Sequence, residues 1–99
     1  MSVFSARLKQ ARMAAGLSQE RLGVLAGIEE ASASARMNQY EKGKHNPDFS
    51  VVERIAKVLD VPEAYFYAKS DDVAELLIAF HRSSESKRQL LLDAAKPPA

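Results

Sequence analysis

Apolar positions along this chain recur at helical rather than alternating spacing. Phe4, Leu8, Ala11 and Ala15 fall three or four residues apart, the period of one helix face. Ser2 or Ser5 is placed to cap this first helix. Gly16 is placed to stop it, because glycine takes the left-handed conformation of a helix C-terminus without penalty. Ser18 reads as the cap of a second helix with Leu22, Leu25 and Ala26 on its inner face. Gly27 ends that helix, and Ile28 is expected to anchor the following turn in the core. Residues 29–40 hold no Gly or Pro and are rich in Ala and Ser, which predicts a third helix. Two starts are open for it. One is Glu30, whose charge suits the positive end of a helix. The other is Ser32 or Ser34, with the preceding residues as loop.

Gly43 and Pro47 mark a break after that helix. Asp48 is a good cap for a fourth helix, and Ser50-Val51-Val52-Glu53 offers a rival capping box. Val52, Ile55, Ala56 and Leu59 form its apolar stripe. Val61-Pro62 punctuates, and Glu63 to Tyr67 reads as a short aromatic fifth helix with Pro62 tolerated in its first turn. After the polar stretch Lys69-Ser70-Asp71-Asp72, Val73, Leu76, Leu77 and Phe80 repeat as an amphipathic helix. Ser83 to Ser86 breaks it. A last helix is expected from about Glu85 to Ala95, with Leu90, Leu91 and Ala94 apolar, and Pro97-Pro98 ends the order. No segment alternates convincingly as a strand, and no internal repeat is visible. The pattern predicts an all-α fold, with five helices in residues 1–68 and a two-helix C-terminal extension in residues 69–99.

Composition narrows the chemistry. At 99 residues the chain has room for one domain and an appendage. It contains no Cys, so disulfides, thiolate metal sites and a Cys nucleophile are out of reach. Two separate His make no metal constellation. The Ser residues lack a base-and-orienter arrangement, and no Gly-rich phosphate loop is present. We therefore expect no enzyme activity, no cofactor and no metal. The N-terminal residues lack an apolar signal core, and no run reaches membrane-spanning length, so a cytoplasmic protein with no membrane partner is expected. The net charge is +1, with seven Lys or Arg against five Asp or Glu in residues 1–50 and five of each in residues 69–99. Bulk basicity thus gives no argument for nucleic acid. Any anion-binding face must be local, and the best cluster is Lys42, Lys44 and His45 with Arg36 nearby.

The order of helices two and three, joined by Gly27-Ile28 and followed by a basic loop, is the layout of a helix-turn-helix. Its signature is Arg7-Leu8 and Arg12, Gly16-Leu17-Ser18-Gln19, Leu22, Ala26-Gly27-Ile28, Tyr40-Glu41-x-Gly43, Pro47, and Ile55-Ala56-x-x-Leu59-x-Val61. On these residues the segment 7–66 resembles the Cro/C1-type helix-turn-helix family, also called the xenobiotic response element family. Phage repressors, bacterial regulators and some antitoxins belong to it. The resemblance implies a five-helix phage-repressor-like domain whose third helix enters the major groove of DNA. One departure stands out. Twelve residues separate Ile28 from Glu41, roughly one helical turn more than the resemblance implies. The surplus, Glu29 to Ser32, either lengthens the turn or extends the recognition helix.

Counting back from Glu41, Met37 and Tyr40 fall on core positions, while Ser34, Ala35, Arg36 and Gln39 fall where the family meets base edges. If the helix is registered from its start instead, Glu30 and Ala33 come forward. Arg36 and Gln39 lie three apart on one helix face. Arg can pair with guanine O6 and N7, and Gln with adenine N6 and N7. Arg36 is equally able to hold a phosphate, which positions without reading sequence. Asn38 joins the candidate contacts. The resemblance implies that Gln19 donates to a phosphate at the start of the second helix, and that Lys42 and Lys44, with His45 and Asn46 in the same loop, lie over the backbone. It also implies a pair between Arg12 and Glu41 that holds the recognition helix to the scaffold. Phosphates repel Glu29 and Glu30, which argues against a groove position for their segment; they either cap the helix, the favoured reading, or one accepts from a cytosine N4.

These readings imply a sequence-specific DNA-binding transcriptional regulator acting as a dimeric repressor, with double-stranded DNA and a second copy of the chain as partners. The stripe Val73, Leu76, Leu77 and Phe80 either folds back on Tyr65-Phe66-Tyr67 or pairs with another subunit. Two alternatives are carried. One is an antitoxin-type DNA-binding protein whose tail holds a toxin or other protein partner. The other is a protein-interaction module that has lost DNA binding.

Overall fold

The computed structural model describes residues 2–98, which form helices and no strand. In chain order these are α1 (Val3–Ala14), α2 (Gln19–Leu25), α3 (Glu30–Glu41), α4 (Phe49–Leu59), a 3-10 helix (Glu63–Tyr67), α5 (Asp71–His81) and α6 (Glu85–Ala95). The fifth expected helix is thus a 3-10 turn rather than an α-helix. Four starts carry short polar caps. Ser2 accepts from the Ser5 amide, Ser18 from Arg21, Asp48 from Val51 and Ser84 from Lys87. Each satisfies one amide that has no partner inside its helix.

Three helices stop in the same way. Gly16, Gly27 and Gly43 have φ of 69°, 87° and 73°. The amides that follow, of Leu17, Ile28 and Lys44, reach back to the carbonyls of Arg12, Gly23 and Gln39. That is the Schellman closure, which turns the chain sharply and occupies orphan carbonyls. α4 ends on Asp60 at φ 54°. There Arg82, just past the end of α5, donates to the carbonyls of Leu59 and Asp60 at 3.1 and 2.9 Å, so the end of α5 ties down the end of α4.

The core is built where the helical stripes meet. Leu8, Leu22, Ala33, Met37, Ile55 and Phe66 are fully buried, and Ile28 sits in the core as expected. Phe4, Tyr65 and Phe66 pack ring on ring, with centroids 5.3 and 5.5 Å apart. Two expectations are corrected. Ala15 is exposed, because it lies past the last turn of α1. Leu25 is 45% exposed, because the short α2 turns Leu22, Gly23 and Ala26 inward instead.

Arg7 joins the N-terminal helices to the C-terminal pair. Its side chain is buried and its guanidinium donates to the carbonyls of Ala68 and Lys69, to Gln10, and to Asp71 at the start of α5. α5 then meets the 3-10 helix through its small Ala74, with Leu77 and Ile78 partly buried. Val73 and Leu76 of the expected stripe stay 46% and 56% exposed. α6 buries no residue. Arg88 sets the turn between α5 and α6, donating to the Phe80 and His81 carbonyls and lying 5.2 Å from the Phe80 ring centre. The result is elongated, 55 × 25 × 23 Å with a radius of gyration of 15.0 Å, against about 13 Å for a compact chain of this length.

Candidate nucleic-acid interface

α2 and α3 approach unusually closely, and Gly23 allows it. A Cβ at this position would lie 2.8 Å from the Ala33 Cβ and 3.1 Å from the Ala33 carbonyl oxygen. With Ala33, Met37, Tyr40 and Glu41 buried on its inner side, α3 turns Ala31, Ser34, Ala35 and Arg36 outward. Asn38 and Gln39 are half-buried at its edges, and Lys42 and Lys44 stand exposed just past its end. Because α3 starts at Glu30, most of the surplus stretch extends the helix rather than the turn. The expectation that Glu29 or Glu30 caps it needs correction. Glu29 holds the N-cap position but makes no side-chain cap bond. Only its carbonyl works, accepting from the Ser32 amide. Caps favour short polar side chains, and Glu30 contributes charge in the first turn instead.

The inner end of α3 is fixed by a polar network. Arg12 and Glu41 form a two-pronged pair, Nε to Oε2 at 2.7 Å and an Nη to Oε1 at 3.1 Å. Arg12 also donates to the Leu17 carbonyl at 2.8 Å. Glu41 is only 3% exposed, so the helix cannot shift without stranding a charge. Gln19, at the first position of α2, joins this network. Its amide nitrogen donates to Glu41 Oε1 at 3.2 Å and to Asn38 Oδ1 at 3.3 Å. The donor expected to meet a phosphate is therefore turned into the protein.

Helical geometry sorts the remaining candidates into two rows around Ala31 and Ala35. Ser34, Asn38 and Lys42 lie one above another on the side of the α2 start. Arg36 and Gln39 occupy the opposite flank. Arg36 bends along its own helix, donating to the Tyr40 hydroxyl at 2.9 Å, with its guanidinium carbon 5.9 Å from the Tyr40 ring centre. The Gln39 carbonyl closes the helix by accepting from the Lys44 amide at 3.0 Å. That bond brings the exposed loop Lys42-Gly43-Lys44-His45 directly under the end of α3. The rows also carry a clear charge gradient, with acidic Glu29 and Glu30 at one end and Lys42 and Lys44 at the other.

Three positions escaped sequence reasoning. Gly23 leaves no mark in the pattern of apolar positions, although it lets α2 and α3 meet at Ala33. Arg54 holds α4 against the end of α2, donating to the Ala26 carbonyl at 2.7 Å. Arg7 is the third, and it did leave a signal, since it falls beside Leu8 on a helix whose buried face runs through Phe4 and Ala11.

A helix-turn-helix domain profile matches residues 3–65, nearly two thirds of the chain. The chain belongs to the helix-turn-helix domain family. The chain is similar to the transcriptional regulator BswR, whose crystal structure superposes with a TM-score of 0.85 at 44% identity. The match covers 95% of this chain and 91% of that one, so the likeness takes in α5 and α6 as well. Among curated proteins, none matches. No helix among the described residues is long and apolar enough to cross a membrane.

Proposed function

We propose that this protein is a sequence-specific DNA-binding transcriptional regulator of the Cro/C1 type, acting as a homodimeric repressor. The observation that carries the reading is the outward face of α3, two rows of polar side chains beside small alanines, rigidly backed by α2 and ending in an exposed Lys loop. Small residues at Ala31 and Ala35 let the helix approach the floor of the major groove, where a methyl can meet a thymine methyl. Ser34, Asn38 and Gln39 face base edges in this reading, Arg36 joins them by leaving the Tyr40 hydroxyl, and Lys42 and Lys44 hold phosphates. The likeness to BswR, named a transcriptional regulator, supports the same reading.

Residues 1–68 act as the DNA-binding unit in this proposal, and residues 69–99 supply the dimer contact. The support is the exposure of Val73, Leu76, Leu90 and Leu92 on α5 and α6 in helices too short to persist without packing. Operators read by such domains place half-sites a helical turn apart, matching the two-fold symmetry of the protein. The exposed tail equally supports the antitoxin alternative, in which a toxin covers these leucines.

Fluorescence anisotropy with a random-sequence duplex at low salt tests the DNA reading. Binding should weaken with salt, with a log–log slope of about −0.9 per phosphate neutralised. A folded protein that shows no binding under these conditions would sink it in favour of an interaction module that has lost DNA binding. Sedimentation then addresses the tail. A dimer that Leu76→Asp with Leu90→Asp dissociates supports the homodimer, and a monomer that dimerises on neither DNA nor concentration refutes it.

A further inference from the structure

From charge and exposure we infer that the acidic, apolar face of α5 docks into a basic groove between α2 and α4 of a second copy of this chain. The inference rests on the proposed homodimer and names the surface that receives its tail.

The groove lies where Arg54 reaches from α4 to the end of α2. Leu25, Ala26 and Gly27 line one side of it, and Arg54, Lys57 and Val58 the other. Leu25 is exposed there and Val58 is half-buried. Arg54 uses only its Nε on the fold, donating to the Ala26 carbonyl at 2.7 Å. Its two terminal nitrogens keep the fork that grips a carboxylate. Lys57 is exposed, and no ion pair among the described residues includes it or Arg54. No carboxylate lines the groove. An apolar floor beside two unanswered cations suits a helix face that carries apolar side chains and acids together.

α5 has that chemistry. At 3.6 residues per turn, Glu75, Asp72, Leu76 and Val73 follow one another around the side opposite the buried Ala74. All four are exposed, and neither Asp72 nor Glu75 enters an ion pair among the described residues. Charge decides between the two helices of the tail. α6 also leaves leucines exposed, Leu90 and Leu92, but Lys87 and Arg88 lie on the same helix, and Lys96 just past it holds Asp93 at 3.4 Å. That helix would bring cations to Arg54 and Lys57. α5 holds Asp71, Asp72 and Glu75 and no Lys or Arg. The groove and the α5 face are both exposed in the same fold, so neither covers the other within one chain. In a two-fold dimer the contact forms twice, α5 of each copy in the groove of the other, and the pair is closed.

Sedimentation of the full chain tests the inference, with each variant checked for folding by circular dichroism. The wild type should form a dimer that weakens as salt screens the charges. Lys57→Glu, Glu75→Lys and Leu25→Asp replace exposed side chains. Each should raise the dissociation constant about 10-fold, since each change enters the dimer twice. Lys57→Glu combined with Glu75→Lys exchanges the two signs and should recover most of the loss. Folded Lys57→Glu and Leu25→Asp chains that dimerise as tightly as the wild type overturn the inference and leave the homodimer standing. A combined variant no tighter than its parents does the same. Weakening by Lys87→Glu in place of Lys57→Glu also overturns it, by making α6 the receiving helix. A wild type that stays monomeric with and without DNA overturns the homodimer reading and this inference together.

Discussion

Breaking the Arg12–Glu41 pair should cost far more than breaking a surface ion pair, and removing both partners should cost much less than the two single losses combined. The pair lies between α1 and the last turn of α3, with side-chain exposures of 13% and 3%. Glu41→Ala leaves the Arg12 guanidinium with the Leu17 carbonyl as its remaining partner and strands one hydrogen of the Gln19 amide. Losing one member of a buried pair costs about 3–5 kcal/mol. The residual exposure of Arg12 admits some water, so the lower end, about 3 kcal/mol, is expected for Glu41→Ala. Arg12→Ala strands the more deeply buried carboxylate and should cost at least as much. The double variant Arg12→Met with Glu41→Leu removes the uncompensated charge and fills the space with apolar side chains. Such replacements are often neutral, so, read against Arg12→Met and Glu41→Leu as the single variants at about 3 kcal/mol each, the coupling between the two positions should approach about 6 kcal/mol. Urea unfolding followed by circular dichroism reads each value, with the midpoint moving and the slope unchanged. In a domain of this size 3 kcal/mol lowers Tm by roughly 12–24 °C, so thermal scans give an independent reading. Additive single losses, with a coupling below about 0.5 kcal/mol, would refute the claim that this pair anchors the recognition helix.

Three further outcomes are expected. Gly23→Ala gains about 1 kcal/mol of helix propensity but drives a Cβ to 2.8 Å from the Ala33 Cβ and 3.1 Å from its carbonyl oxygen, which cannot rotate away. With overpacking at about 1–3 kcal/mol, the variant should be less stable in urea, and a stability equal to the wild type's would show that α2 and α3 can separate freely. On DNA, Arg36→Ala and Gln39→Ala should alter base preference in a selection experiment, whereas Lys44→Ala should weaken all sequences alike and reduce the salt slope by about one phosphate. The pH profile should show the α4 cap. The Ser50 hydroxyl, and then the Val51 amide, hold the Asp48 carboxyl below its ordinary 3.8. A depressed folded pKa means stability that is present above the unfolded value and lost as pH falls through the folded one. The advantage of the wild type over Asp48→Asn should therefore be full at neutral pH and shrink below pH 3.8, as read by urea midpoints, and an advantage independent of pH would exclude the charged cap.

What was legible along the chain was what depends on near neighbours. Ser2, Ser18 and Asp48 cap helices through the amide three residues on, and Gly16, Gly27 and Gly43 close them with bonds five residues long. The Arg12–Glu41 pair was legible only through the family resemblance, since its members are 29 residues apart. Gly23, Arg7 and Gln19 were not, for the same physical reason. The constraint on each is set by a group brought close by tertiary packing: the Ala33 methyl, the Ala68 carbonyl, the Asn38 amide.

α5 shows how two local readings can compete. Its sequence supports two apolar stripes, Val73-Leu76-Leu77-Phe80 and Ala74-Leu77-Ile78, and they overlap at Leu77. Hydrophobicity favours the first, because its side chains are larger. Packing selects the second, because Arg7 draws Asp71 toward α1 at 2.9 Å and Tyr65 and Phe66 already fill the core at that end, leaving space for the Ala74 methyl. The larger stripe is thereby left largely outside, with Leu76 56% exposed. A lone apolar residue on a surface needs no explanation. Val73 and Leu76 side by side do, when the helix that follows buries nothing of its own and leaves Leu90 and Leu92 exposed as well. An 11-residue helix without packing is marginal in water, so the face that the fold of one chain leaves unused is the face that a second chain can stabilise.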